Sequence, residues 1–134
     1  MGVLKSIAAA LYGAGVAVRN WLYDLKILKS TQFDLPVICV GNVAVGGTGK
    51  TPTVEFLVDK LGDQYTIAVL SRGYRRRTKG YREVQVGDSF LNVGDEPKQI
   101  KRKFPDTVVV VCENRVEAIR RIQQEHPEVN LVIM

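Results

Sequence analysis

Apolar positions along the chain follow two different periods. In the first thirty residues Leu4, Ile7, Leu11, Val18, Leu22 and Leu25 recur at steps of three, four or their multiples, while Lys5, Arg19 and Lys26 share another heptad phase. The pattern predicts an amphipathic helix over residues 1–30. Its uninterrupted apolar stretch, Ile7 to Val18, covers only 12 residues, short of the roughly 20 that a spanning helix needs. The next residues, Trp21 to Leu28, continue as helix and do not read as the mature start behind a signal peptide. With Tyr12, Trp21 and Tyr23 suited to a headgroup boundary, a helix lying in the membrane plane and a helix packing its stripe on protein fit the periodicity equally well.

Beyond residue 30 the apolar residues come in short continuous runs: Pro36 to Gly41, Tyr65 to Leu70, Thr107 to Cys112 and Asn130 to Met134. Runs rich in Val and Ile without alternation read as strands buried on both faces. Between them helical spacing returns at Val54, Leu57, Val58 and Leu61, and again at Val116, Ile119 and Ile122 within 113–125. Strands alternating with helices predict an α/β domain over 31–134, a parallel sheet with flanking helices and right-handed crossovers. Ligands should then gather at the C-terminal ends of the strands. The fourth run reaches Met134 with no acidic residue behind it, so the chain reads as a C-terminally truncated domain.

With 46% hydrophobic and 25% charged residues, the 134-residue chain can bury a core of its own. Cys39 and Cys112 each sit in an apolar run and read as small hydrophobes, which favours a reducing compartment. His126 stands alone, and no metal-ligand spacing is present. The net charge of +5 is uneven: Arg72, Arg75, Arg76, Arg77, Lys79 and Arg82 fall close together. Such a cluster is a solvated face or a contact for an acidic substrate or lipid headgroup. No aromatic platform is interleaved with it, so nucleic acid is the weakest partner.

The most informative stretch joins the first strand to the next helix. It reads VGNVAVGGTGKTP from Val40 to Pro52, and strand, glycine-rich turn, Gly-Lys-Thr and helix is the context of a phosphate-binding loop. Residues Ala44, Val45, Gly46, Gly47, Thr48, Gly49, Lys50 and Thr51 are the candidate nucleotide contacts. Glycines let the backbone turn its N–H groups toward phosphate oxygens, and the helix adds its unpaired N–H groups and positive dipole end. Lys50 can reach the β- and γ-phosphates, and the Thr51 hydroxyl can ligate Mg²⁺. Pro52 is tolerated because a first-turn N–H has no helical partner. Ala44 stands where the standard pattern has its early glycine, and Val45 where partitioning-type ATPases carry their signature lysine, which counts against that alternative.

This stretch resembles the VGNxxxGGxGKTP signature of the tetraacyldisaccharide 4'-kinase family, in which Ala44 is no anomaly. LSRGY at Leu70 to Tyr74 and VGDEP at Val93 to Pro97 are similar to two further family motifs, in the same order and at similar spacing. The resemblance covers essentially the whole chain and about the first two-fifths of a family member. It implies a P-loop kinase fold and a Gram-negative enzyme, peripheral or monotopic, on the cytoplasmic face of the inner membrane. Such an enzyme uses ATP and Mg²⁺ to phosphorylate the 4'-hydroxyl of a lipid disaccharide 1-phosphate. The resemblance also favours an anionic membrane surface as the partner of residues 1–29. It makes Asp95 and Lys50 the catalytic candidates, with Glu96 a helper, although an Asp-Glu pair before proline otherwise reads as a turn or helix cap. Tyr74 and its neighbouring arginines are candidates for the sugar or the 1-phosphate. An inactive fragment that binds nucleotide or membrane without turnover is the alternative for the 134 residues alone.

Overall fold

A computed structural model of the chain describes residues 2–41 and 49–134. It divides into two compact units, 1–33 and 34–134. The first is built on α1 (Gly2–Asp24), shorter than the expected 1–30 because the chain turns back behind it. Lys26 takes a left-handed φ of 57°, and the N–H groups of Ile27 and Leu28 both donate to the Leu22 carbonyl, at 3.0 and 3.1 Å. Within this unit Leu4, Ile7, Leu11 and Trp21 stay exposed. At 1.5 Å per residue α1 is about 35 Å long, and by length and composition it could cross a membrane, which its 12-residue apolar stretch had not suggested.

The second unit is a five-stranded sheet in the order β1-β5-β2-β4-β3, with β1 (Val37–Ile38), β2 (Ile67–Ser71), β3 (Arg82–Glu83), β4 (Val108–Val111) and β5 (Leu131–Ile133). Its helices are α2 (Lys50–Leu61), α3 (Phe90–Val93), α4 (Asp95–Lys103) and α5 (Arg115–Glu125). Four strands run parallel as expected. The short β3 is antiparallel to β4, with Arg82 opposite Val111 and Glu83 opposite Val110; its charged residues suit a sheet edge, where they discourage pairing with other chains.

Side-chain alternation divides the core. Ile67, Val69, Val109, Val111, Leu131 and Ile133 pack with Val54 and Val58 of α2, Val93 of α3 and Ile100 of α4. Ala68, Leu70, Val110, Cys112 and Val132 are buried on the other face, where α5 meets β2 and buries Ala118, Ile119 and Ile122. The Asn114 side chain caps α5 by accepting from the Glu117 N–H at 3.1 Å. One strand departs from its expected burial. Among the described residues β1 pairs only with β5, so Val37 and Ile38 are half-buried and Cys39 is exposed, whereas Cys112 is buried.

The sequence pattern did not reveal α4. Asp95, Glu96 and Pro97 form its first turn, where carboxylates favour the dipole and proline loses no hydrogen bond. Ile100 is fully buried, the buried Lys101 reaches the Thr107 carbonyl at 2.9 Å, and Glu55 of α2 accepts from Gln99 at 2.7 Å and Lys103 at 2.6 Å. These two contacts hold the Glu55 carboxyl below its ordinary range.

At the far end of α5, His126 also has partners that the sequence did not suggest. Its Nε2 lies 2.9 Å from Glu83 and its Nδ1 3.3 Å from Glu128. Burial pushes the imidazole down, but the two carboxylates outweigh it and hold the group above its ordinary value. Beside it Arg121 lies over the Tyr81 ring at 3.9 Å and binds Glu125 at 2.7 Å. Burial, and then the Glu125 and Glu83 carboxylates, push the Tyr81 hydroxyl well up.

This packing has two measurable consequences. Ile100→Ala should destabilise the fold by about 2–5 kcal/mol in denaturant titrations, because with Pro97 the fully buried Ile100 anchors an otherwise polar helix. A raised folded-state pKa means that the His126 contribution is complete below the unfolded value and lost as pH rises through the folded one. Melting temperature should therefore fall between about pH 6 and pH 8 more steeply in the parent than in His126→Gln.

Candidate functional site

The C-terminal ends of three adjacent strands open into one cavity. β1 leads to Val40, β5 to Met134 and β2 to Ser71, and the pairing continues past the strands through Val40 N–H to Met134 O at 2.6 Å and Cys112 N–H to Ser71 O at 2.9 Å. Around these ends lies a space of about 270 Å³, reached by Lys50, Arg72, Tyr74, Glu96 and Arg115. This is where an open α/β sheet is expected to take its ligand.

Lys50 is there because α2 begins at the loop. Gly49 precedes the helix in the left-handed region, φ 82°, a conformation open to glycine at little cost. The carbonyl of Gly49 accepts from the Thr53 hydroxyl at 2.7 Å and the Thr53 N–H at 3.1 Å. Lys50 and Thr51 are the first two residues of α2, so their N–H groups have no intrahelical partner and an anion can accept from them. This end of the helix suits phosphate, and a hydroxyl at Thr51 suits a hard cation beside it. The remaining loop candidates, Ala44, Val45, Gly46, Gly47 and Thr48, lie outside the described residues.

The two acidic candidates are separated. Both open α4, but Glu96 lines the cavity with Lys50. Asp95 is exposed and lines a neighbouring groove of about 590 Å³ with Phe90, Lys98, Gln99, Arg102 and Lys103. Successive residues in a helix point about 100° apart, so one carboxylate faces the cavity and the other the groove beside it. Gly94, with φ 94°, sets this start of α4: a Cβ there would come within 3.3 Å of Gly73 Cα and Tyr74 O.

The basic cluster also splits. The Arg76 side chain is 2% exposed and bound to Glu113 at 2.8 Å, and Arg82 is bound to Asp88 at 2.6 Å. Arg72 turns into the cavity wall, while Arg75, Arg77 and Lys79 are exposed. Arg115 was not expected at the site. Its only sequence signal is its place just after a strand, behind the capping Asn114. Among the described residues, the donor atoms of Glu83, Glu125 and His126 lie within 4.8 Å of one another, away from the cavity, with Glu125 already bound to Arg121.

Comparison with known proteins finds similar proteins along nearly the whole chain. The family model "Tetraacyldisaccharide-1-P 4'-kinase" matches residues 2–134. Among curated relatives, the tetraacyldisaccharide 4'-kinase of Porphyromonas gingivalis is 53% identical over 111 residues, 83% of this chain and 31% of that protein. The enzyme of the same name from Bacteroides fragilis is 48% identical over 128 residues, 95% of this chain and 34% of its own length. The crystal structure of an "apo" form of LpxK from Aquifex aeolicus in complex with ATP superposes with a TM-score of 0.77 at 37% identity, covering 92% of this chain and 40% of that one. This chain thus spans about a third of the length of the curated relatives it matches. With the family model matching residues 2–134 and relatives 48–53% identical over 83–95% of its length, the chain belongs to the tetraacyldisaccharide 4'-kinase family.

Proposed function

We propose that this chain is the nucleotide-binding part of an ATP-dependent lipid kinase. The reaction transfers the γ-phosphate of ATP to the 4'-hydroxyl of a tetraacyldisaccharide 1-phosphate. The observation that carries the reading is Lys50, at the start of α2, sharing a cavity with Glu96 while Asp95 opens the same helix α4. It is supported by the relatives named tetraacyldisaccharide 4'-kinase and by the Aquifex aeolicus structure in complex with ATP.

In this reading residues 44–51 bind the nucleotide and residues 31–134 form a P-loop kinase domain. Lys50 and the first N–H groups of α2 draw negative charge toward the helix, and that attraction strengthens as charge moves onto the leaving phosphate oxygen. Thr51 is the described residue that would hold Mg²⁺, whose role when bound is to neutralise charge between the β- and γ-phosphates. Asp95 accepts the proton of the attacking hydroxyl, and Glu96, on the cavity side, orients groups near Lys50. Arg72, Arg115 and Tyr74 offer donors for the acceptor's sugar and phosphate. Residues 1–29 rest on an anionic membrane at the cytoplasmic face of the Gram-negative inner membrane. Tyr12 and Trp21 are exposed on α1, and Lys5 and Arg19 supply its cations.

Phosphate transfer from MgATP to the disaccharide 1-phosphate in detergent tests the reading in the intact protein. Lys50→Ala should abolish transfer, and Asp95→Asn should lower kcat by about 10²–10⁴-fold with nucleotide affinity retained. Nucleotide hydrolysis without any acceptor would favour a partitioning-type ATPase instead. An active Lys50→Ala variant would sink the kinase reading. Deleting residues 2–24 should abolish sedimentation with phosphatidylglycerol vesicles; unchanged sedimentation would remove the membrane role from α1.

A further inference from the structure

The basic loop after β2 is tied down by one of its own arginines. Gly73, with φ 68°, begins a turn closed by the Arg76 N–H donating to the Gly73 carbonyl at 3.1 Å. The Arg76 side chain then folds back over that turn, where a Cβ on Gly73 would collide with its Cδ and Nε. Its Nη2 donates to the Gly80 carbonyl at 2.7 Å and to Glu113 Oε1 at 2.8 Å, and its Nη1 donates to the Thr78 hydroxyl at 2.9 Å. The other Glu113 oxygen accepts from the Gly80 N–H at 2.9 Å. One guanidinium and one carboxylate therefore fasten the middle and the Gly80 end of residues 73–80 onto the segment that comes after β4.

The same loop is sewn to the segment before α4. Arg77 N–H donates to the Leu91 carbonyl at 2.7 Å, the Thr78 hydroxyl donates to the Asn92 carbonyl, and Gly73 lies against Gly94. Three chain segments meet here, and each sends a side chain to the cavity: Arg72 from the first, Glu96 from the second, Arg115 from the third. Neither Arg76 nor Glu113 lines the cavity itself.

We propose that Arg76, paired with Glu113, is a positioning residue that holds Arg72, Glu96 and Arg115 in register around the acceptor's phosphate and sugar. The proposal rests on the kinase reading above and adds to it a device outside the reacting groups. Arginine suits the task because its planar fork satisfies Gly80, Thr78 and Glu113 together, which a lysine ammonium on a flexible stem does not. Without Glu113 the buried guanidinium loses its countercharge, and the loop is freed at the end nearest Arg115.

Arg76→Lys and Glu113→Gln are the variants to compare in the intact protein. Each should lower kcat/KM for the disaccharide acceptor by about ten- to a hundredfold, the scale of a misplacement of about an ångström. Affinity for a non-hydrolysable ATP analogue should change by less than about twofold, since α2 is not part of the link. The double variant should lose no more than either single one, and amide exchange should rise across 73–80 and 113–115 but not across α2. Loosened exchange with unchanged acceptor kcat/KM would reduce the pair to a structural contact, and unchanged exchange would remove the link itself. Equal losses for nucleotide and acceptor together with a large drop in melting temperature would also overturn the positioning role. If the parent protein transfers no phosphate, the kinase reading fails, whereas the exchange pattern still decides whether the link exists.

Discussion

Strand β2 is hydrogen-bonded along both edges, to β4 through Ala68 to Ser71 and to β5 through Ile67 to Val69. Ile67, Ala68, Val69 and Leu70 are buried, Ala68 completely. A strand held in this way cannot shift register without moving every apolar side chain it carries to the opposite packed face and breaking two ladders at once. Its C-terminal end is therefore a fixed point. Ser71 and Arg72 leave it at the level where Val40, Cys112 and Met134 leave their own strands, and the cavity exists because these ends are level.

Around that fixed point the protein uses polar contacts to place what the hydrophobic core cannot. The helix α4 has little apolar surface, so its position depends on the buried Pro97 and Ile100 and on the Glu55 pairing with Gln99 and Lys103. Its start depends on Gly94, whose backbone angle and close approach to Gly73 exclude a side chain. The outcome is a separation of adjacent acids, with Glu96 lining the cavity with Lys50 and Asp95 lining the groove beside it. The buried Arg76 guanidinium is placed in the same way, by hydrogen bonds from its two terminal nitrogens to Glu113, Gly80 and Thr78.

Charge also marks the far edge of the sheet. β3 is two charged residues long, and its Glu83 reaches His126 at the end of α5, so the edge strand is closed by a side-chain contact rather than by a further strand. The opposite edge, β1, has no such device among the described residues, and its half-buried Val37 and Ile38 and the exposed Cys39 reflect pairing on one side only.

The amino-acid sequence by itself determined the elements with a strong period or a strong motif. Runs of Val and Ile specified four parallel strands, helical spacing specified α1, α2 and α5, and the Gly-Lys-Thr signal specified that α2 begins at Lys50. These signals are local, since they depend on residues close together in the chain. Only the tertiary structure decided that β1 lies at an edge, that α4 and β3 exist, and that Arg76 is buried while Arg72 and Arg115 reach the cavity. α4 and β3 are made mostly of charged residues, and nothing in a charged run says which member will be buried. Partners distant in sequence decide where such side chains are held: Glu113 for Arg76, Glu55 for Lys103 and Glu83 for His126. The physical reason is that apolar burial writes a period into the chain, whereas a hydrogen-bonded ion pair needs only two residues brought together by the fold.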